Sequence, residues 1–281
     1  MNWVFLGDSL TEGVGWKRIS YVTELVTQIR SARCEINVHE LRLRGVDSHG
    51  FVDFNVAGKM DVDAGRHSSD LWCWNLACEG QTIESDLAWL PLIGTLRPEL
   101  VVIFRGSLES IVRPAALHDG TWPWWVPGSW KSYAAMDPRC YFSTTSWRKA
   151  KQQAIDATKQ RTRLKLLTRG AGKPLMDVDA LAAHLTKLLH ELRALNTRVL
   201  MLGLLPVDET CFPGSPAYFE SVNTRLKQIA ASEDVEFFDW GAELKSPTAD
   251  QELFYRDGFH PNLAGAQALA EILRPRLCPR R

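Results

Sequence analysis

Residues 7–13 read Gly-Asp-Ser-Leu-Thr-Glu-Gly and directly follow an apolar run, Trp-Val-Phe-Leu, at 3–6. The run predicts a buried strand, and Gly7 permits a sharp turn where that strand ends. A helix beginning near Leu10 would place Ser9 at its N-terminus, where free N–H groups and the helix dipole favour negative charge. Ser9 is therefore either a helix N-cap, a common role for serine, or a nucleophile.

Other apolar runs, which end near Gly or Pro, predict further buried strands of one parallel sheet. These runs lie at 100–104 and 199–205, with weaker ones at 71–76 and 235–239. Apolar residues at helical spacing occupy 17–32, 177–195, 217–231 and 262–274. Strands that alternate with helices indicate an α/β fold, with a parallel sheet covered by helices on both faces. Such sheets bind ligands at the carboxyl ends of their strands, where Ser9 is expected.

The composition of the 281 residues limits the possible partners. Apolar residues make up 45%, enough for a large core, and 33 Lys plus Arg balance 33 Asp plus Glu. This balance, without a recognised binding motif, argues against nucleic acid as a partner. Six scattered cysteines form no Cys-x-x-Cys pair, so no metal site is expected. The sequence shows no signal peptide and no membrane-spanning stretch, and the expected location is the cytoplasm.

Two segments interrupt the alternation of strands and helices. Residues 45–70 are polar and rich in Asp and Gly, and are interpreted as a long loop. Residues 106–175 form a longer aromatic and basic connection after the third core strand, and such lengths usually indicate function or disorder. The aromatic content argues against disorder. We expect a single domain, 1–281, in which the insertion 106–175 packs over the sheet as a cap or surface subdomain.

A polar motif near the other end of the chain supplies a candidate base for Ser9. Residues 257–262 read Asp-Gly-Phe-His-Pro-Asn and precede a helical pattern. In a turn that runs into a helix, this spacing lets the Asp257 carboxylate reach Nδ1 of His260 and leaves Nε2 free for Ser9. A satisfied surface Asp–His pair is the alternative. Together the two motifs favour nucleophilic catalysis.

The motifs GDSLTEG at 7–13 and DGFHPN at 257–262 resemble those of the GDSL, or SGNH, hydrolase superfamily. The segments NLACEGQT at 75–82 and VEFFDW at 235–240 support this resemblance. The shared pattern spans nearly the whole chain, apart from the two interrupting segments.

This resemblance implies a three-layer, flavodoxin-like α/β/α fold and acyl ester chemistry that needs no metal or organic cofactor. It implies that Ser9 is the nucleophile, His260 the base and Asp257 the residue that orients the base. It also implies that the backbone N–H groups of Ser9 and Gly80 contribute to the oxyanion hole.

The third family motif, normally Gly-x-Asn-Asp after a central strand, is altered in this chain. Residues 105–109 read Arg-Gly-Ser-Leu-Glu, with Leu108 in the place of the Asn. Leucine cannot donate a hydrogen bond, and loss of one oxyanion donor typically costs about a hundred- to a thousand-fold in rate. Three alternatives follow: Arg105 or Ser107 replaces the donor, the enzyme uses two backbone donors only, or the chain binds without hydrolysis.

Eight aromatic residues cluster within 121–147, among them Trp122, Trp124 and Trp125. They are interpreted either as a satellite core or as the wall of a pocket for an acyl chain or a sugar ring. These three tryptophans, together with Asp8, are the candidate substrate-binding residues.

The segment 139–173 contains ten basic residues and one acid, Asp156. Trp147, Leu164 and three alanines fall at helical spacing in it. Such a run is usually a solvated helix face. The alternative is contact with an anionic membrane surface or a phosphate-bearing ligand.

The leading hypothesis is a serine esterase that hydrolyses an acyl ester, with acetyl the first choice, on a carbohydrate or small lipid. An acyltransferase that uses the same three residues for sugar O-acetylation is one alternative. A non-catalytic binding protein on the same scaffold is another.

Overall fold

A six-stranded parallel sheet forms the centre of the protein in a computed structural model, which describes residues 1–13, 20–32, 37–42, 70–170, 172–244 and 253–278. The strands are β1 (Asn2–Gly7), β2 (Val38–Arg42), β3 (Leu71–Asn75), β4 (Leu100–Phe104), β5 (Arg198–Leu202) and β6 (Glu236–Phe238). They lie in the order β2-β3-β1-β4-β5-β6, and every neighbouring pair is parallel. The predicted α/β fold is confirmed.

Eleven described helices accompany the sheet: α1 (Ser9–Glu12), α2 (Tyr21–Ala32), α3 (Leu90–Leu96), α4 (Ser107–Ser110), α5 (Ala116–Asp119), α6 (Tyr133–Met136), α7 (Ser146–Arg169), α8 (Val178–Ala194), α9 (Ser215–Ser232), α10 (Trp240–Glu243) and α11 (Leu263–Leu277). Short 3-10 helices occupy Ile83–Trp89 and Gly128–Trp130. Helix α2 packs against α11 and α8 against α9, and helices flank the sheet. None of the described helices combines the length and hydropathy needed to cross a membrane.

The central strands are continuous apolar runs because both faces of the sheet are covered. Every residue of β1 and β4 is buried. The register places Gly7 beside Phe104 and Phe5 beside Asn75. The carboxyl ends of β1, β3 and β4 therefore meet at one edge of the sheet, and the loops that leave this edge carry the candidate site.

Strand β2 was not predicted from the sequence. Val38 is its one fully buried residue, and the remaining four are only partly buried. As an edge strand, β2 has a sequence, Val-His-Glu-Leu-Arg, without the apolar run that reveals a central strand. The predicted long loop at 45–70 lies outside the described residues except for Asp70.

The insertion 106–175 contains α4 to α7 and its own small apolar cluster. Val126, Met136 and Leu166 are buried in this cluster, and Trp122, Trp125 and Trp130 pack against it. The satellite-core interpretation of the aromatic segment is thus the one that the packing supports. The function of the insertion as a cap stays a prediction.

Helix α7 buries charged side chains beside Leu166 and exposes several of its apolar ones. Arg163 is fully buried, donates to the carbonyl oxygens of Cys211 and Val112, and stacks over the Phe212 ring. Trp147 and Leu164, by contrast, are 64% and 39% exposed. The apolar spacing seen in the sequence therefore marks the solvent side of the helix. The inner side is stabilised by cation–ring contacts and hydrogen bonds to carbonyl oxygens.

Candidate active site

Ser9 lies at the start of α1, immediately after β1. The N–H of Leu10 donates to Oδ1 of Asp8 at 2.9 Å, so Asp8, rather than Ser9, supplies the N-cap. This leaves the Ser9 hydroxyl available for another partner. The turn requires glycine at position 7, because a Cβ there would lie 2.1 Å from Oγ1 of Thr11. Ser9 itself is 8% exposed.

A continuous hydrogen-bonded chain joins Ser9, His260 and Asp257. Ser9 Oγ lies 2.9 Å from His260 Nε2, and His260 Nδ1 lies 2.6 Å from Asp257 Oδ2. The other carboxylate oxygen of Asp257 accepts from the N–H groups of Phe259 and His260, both at 3.1 Å. The three residues proposed from widely separated motifs are therefore brought together in the predicted order.

The environment keeps Asp257 ionised. Burial raises its pKa, but the hydrogen bond and charge of His260, with a hydrogen bond from Cys140, outweigh burial and hold the pKa of Asp257 below its usual value. An ionised carboxylate fixes the proton of the imidazole on Nδ1. Nε2 is then an acceptor that faces Ser9.

The loop that carries Gly80 is tied to the rest of the site on both sides. The N–H of Glu79 donates to Oε2 of Glu12 at 2.5 Å, and Nη1 of Arg105 donates to the carbonyl oxygen of Gln81 at 2.6 Å. Gly80 lies between these two contacts with a positive φ of 77°. This conformation favours glycine and explains the residue type at that position.

Arg105 supports this loop from a buried position. Its guanidinium donates from Nε and Nη2 to the two carboxylate oxygens of Asp86, with the Nε bond at 2.7 Å. Only 2% of Arg105 is exposed. Each guanidinium nitrogen therefore has a protein partner, and the structure places Arg105 as a positioning residue behind the loop. Its predicted role as a direct oxyanion donor is not indicated by these contacts.

Ser107 and Leu108 follow at the start of α4. Ser107 is fully buried, and its Oγ has no hydrogen-bond partner among the described residues. Leu108 is half-buried, and its carbonyl oxygen accepts from Nη1 of Arg113. Ser107 therefore remains a candidate for the missing donor.

Glu109 adds a buried carboxylate that sequence reasoning missed. Its Oε1 accepts from the N–H of Ile83 at 2.7 Å, and its side chain is fully buried. Burial raises its pKa from 4.5 to about 7, although the charge of Arg105 opposes this rise. Burial likewise raises the pKa of Asp8, again against the charge of Arg105. One buried guanidinium thus lies among several carboxyl groups.

The candidate substrate-binding tryptophans lie in different surroundings. Trp122 and Trp125 pack against the apolar cluster of the insertion, whereas Trp124 is 93% exposed. Asp8 is fully buried and serves as the α1 cap. A substrate contact by any of the four remains a prediction.

Cys140, from the insertion, was also not anticipated as a site residue. Its Sγ lies 3.2 Å from Nδ1 of His260. Burial raises the pKa of its thiol well above the usual value, and the nearby carboxylate of Asp257 raises it further. No local sequence pattern could have revealed this contact, because the two residues are 120 positions apart.

A parallel α/β sheet with a hydrogen-bonded Ser, His and Asp at its carboxyl edge defines the fold and site geometry of an SGNH hydrolase. Residues 5–268 match the model of the GDSL-like lipase/acylhydrolase family, and the chain belongs to this family. The protein is therefore an ester hydrolase by family. No curated protein matches the chain.

Solved structures share the fold at low sequence identity. TesA is 17% identical with a TM-score of 0.52, and the match covers 99% of both chains. A lipase/acylhydrolase from Enterococcus faecalis is 16% identical with a TM-score of 0.53 and 100% coverage of both chains. Axe2, an acetylxylan esterase from Geobacillus stearothermophilus, is 16% identical with a TM-score of 0.51, covering 97% of this chain and 92% of its own.

Proposed function

We propose that Ser9, His260 and Asp257 form the catalytic triad of a serine esterase. The main support for this proposal is the 2.9 Å distance between Ser9 Oγ and His260 Nε2. The 2.6 Å distance between His260 Nδ1 and Asp257 Oδ2 adds to it. Ser9 attacks the ester carbonyl while His260 takes the hydroxyl proton. The imidazolium then gives this proton to the leaving alcohol, and water, activated by the same base, releases the acyl group from Ser9.

The oxyanion of the tetrahedral intermediate is held by the backbone N–H groups of Ser9 and Gly80. The helix start at Ser9 and the clamped loop at Gly80 support this assignment, because fixed donors need no reorganisation during the reaction. Ser107 is the candidate third donor, since its buried hydroxyl has no partner among the described residues.

The substrate we propose is an acetyl ester on a carbohydrate, with small lipid esters as the second choice. The support is family membership and a fold shared with an enzyme whose name describes acetylxylan hydrolysis. The exposed ring of Trp124 offers a surface on which a sugar could stack.

Acetate release from acetylated oligosaccharides, measured beside short-chain lipid esters, tests this function. The wild type should release acetate and Ser9→Ala should not. Ser221→Ala, which changes an exposed serine on α9, is the matched control and should behave as the wild type. Equal release by the wild type and Ser9→Ala would contradict the proposal. Transfer of the acetyl group to an added sugar would instead identify an acyltransferase.

We also propose that the exposed side of α7 contacts an anionic lipid surface. Trp147 is 64% exposed, and Arg148, Lys149 and Lys151 beside it are exposed cations. An aromatic side chain next to cations suits the boundary between headgroups and acyl chains.

The cytoplasm is the proposed location. The thiols of Cys73, Cys140 and Cys211 are free, which suits a reducing compartment.

A further inference from the structure

Cys140, Asp257 and His260 place three different metal-ligating groups in one small volume. The thiol sulfur, a carboxylate oxygen and an imidazole nitrogen all lie within 4.8 Å of one another. Cys140 Sγ is 3.2 Å from His260 Nδ1, which is 2.6 Å from Asp257 Oδ2. Sulfur, nitrogen and oxygen are the ligand atoms that Zn²⁺ accepts in proteins.

The position of Cys140 is fixed by contacts on both sides of it. Arg256 donates from Nη1 to the carbonyl oxygen of Arg139 at 3.1 Å and to Asp156 at 2.7 Å. The guanidinium of Arg256 also lies 3.8 Å from the centre of the Phe142 ring. The segment around Cys140 is therefore held against Arg256, the residue that directly precedes Asp257. These contacts fix the position of the thiol beside the site.

We propose that Cys140, Asp257 and His260 bind a thiophilic divalent cation, Zn²⁺ or a metal of similar preference, which reversibly switches the esterase off. Three protein ligands leave a fourth tetrahedral position for water. Ligand bonds of about 2.0–2.3 Å imply separations of roughly 3.3–3.6 Å between ligand atoms. The observed Nδ1–Oδ2 and Sγ–Nδ1 separations of 2.6 and 3.2 Å each have to widen by less than about an ångström as the cation enters, and the thiol and carboxylate ligand atoms already lie within 4.8 Å of each other.

Coordination at Nδ1 removes the base by fixing the wrong tautomer. Cys140 loses its thiol proton to solvent when its sulfur binds the cation. The neutral imidazole keeps one proton, which moves from Nδ1 to Nε2 once the lone pair of Nδ1 is used by the metal. Nε2–H can donate to Ser9 Oγ but can no longer accept its proton. The cation also takes the Asp257 carboxylate that orients the ring.

The inhibitory part of this inference rests on the proposed function of Ser9, so binding and inhibition are measured separately. Binding is measured on Ser9→Ala, which keeps the three ligands, with Co²⁺ as the spectroscopic probe. We expect one bound ion per chain and a thiolate-to-cobalt absorption band that Cys140→Ala abolishes. Zn²⁺ should displace the ion. The matched control Cys211→Ala changes another half-buried thiol near Asp257 and should keep the band.

Inhibition is measured as the rate at which a fluorophosphonate labels the enzyme with and without Zn²⁺. For wild type and Cys211→Ala, labelling without Zn²⁺ should be at least tenfold faster than labelling with Zn²⁺, and a chelator should restore the faster rate. For Cys140→Ala the two rates should be nearly equal. Cys140→Ser, checked for folding by circular dichroism, replaces the alanine variant if that fails to fold. No thiolate band, or equal Zn²⁺ sensitivity of wild type and the Cys140 variant, would overturn the proposal. A band without any labelling of Ser9 would refute the esterase and leave the metal site standing.

Discussion

Nη1 of Arg105 donates to the carbonyl oxygen of Gln81 at 2.6 Å, and this bond ties the altered third motif to the loop that carries Gly80. The same guanidinium is paired with Asp86, so its direction is fixed. Glu12 holds the other side of the loop through the N–H of Glu79. The loop that carries Gly80 is thus positioned by residues of two other motifs.

Arg105→Met should weaken both stability and catalysis. The substitution leaves Asp86 buried without its partner, which typically costs about 3–5 kcal/mol, and releases the carbonyl of Gln81. We expect kcat to fall more than KM changes, with partial rescue by Arg105→Lys. Urea unfolding and steady-state kinetics measure the two effects. The control Arg198→Met breaks an exposed pair with Glu236 and should cost at most about 1 kcal/mol. Equal losses of stability and of kcat in Arg105→Met and Arg198→Met would contradict this role of Arg105.

Gly80→Ala should reduce activity more than stability. Gly80 has a φ of 77°, and a Cβ there would meet no atom within 4 Å, so the cost is backbone strain of roughly 1–2 kcal/mol. Relief of that strain would turn the N–H away from the oxyanion, and we expect a loss of about tenfold or more in kcat. Gly120→Ala is a matched control, because Gly120 has a φ of 72° and similar open space. An equal loss of kcat in both variants would count against an oxyanion role.

Glu109→Gln should flatten the dependence of stability on pH. Burial raises the pKa of Glu109 from 4.5 to about 7, so the folded protein holds a proton that the unfolded chain releases near pH 4.5. The free energy of unfolding therefore falls as pH rises from 4.5 to about 7, by about 3 kcal/mol for this group. Glutamine keeps an acceptor for Ile83 and does not titrate. Urea unfolding at pH 5 and pH 8 checks this. The prediction is refuted if the free energy of unfolding changes between the two pH values by the same amount in wild type and in Glu109→Gln.

Trp147→Ala should weaken sedimentation with anionic liposomes at physiological salt. Loss of the exposed ring removes apolar area that would enter the headgroup region. Trp124→Ala is the control, since Trp124 is exposed but lies outside α7. Failure of the wild type to sediment would remove the lipid proposal. Sedimentation that phosphate esters compete away would point to a phosphate-bearing ligand.

The parts of the fold that were predictable are those whose physical cause is local. Strands β1 and β4 are predictable from the sequence because burial on both faces requires an uninterrupted apolar run. Strand β2 does not, since an edge strand needs few apolar residues. Ser9 and the Asp257–His260 pair lie in short motifs, whereas the contacts of Glu12 and Cys140 span 67 and 120 positions. Contacts of that range follow from topology and packing, which no local pattern encodes.

The proposed esterase depends on Ser9 being an activated nucleophile. Its most direct test is the intact mass of wild type and Ser9→Ala after incubation with a fluorophosphonate in the presence of a chelator. One adduct per chain is expected on the wild type and none on Ser9→Ala. A folded wild type that gains no adduct, or a Ser9→Ala variant that is labelled equally, would contradict it.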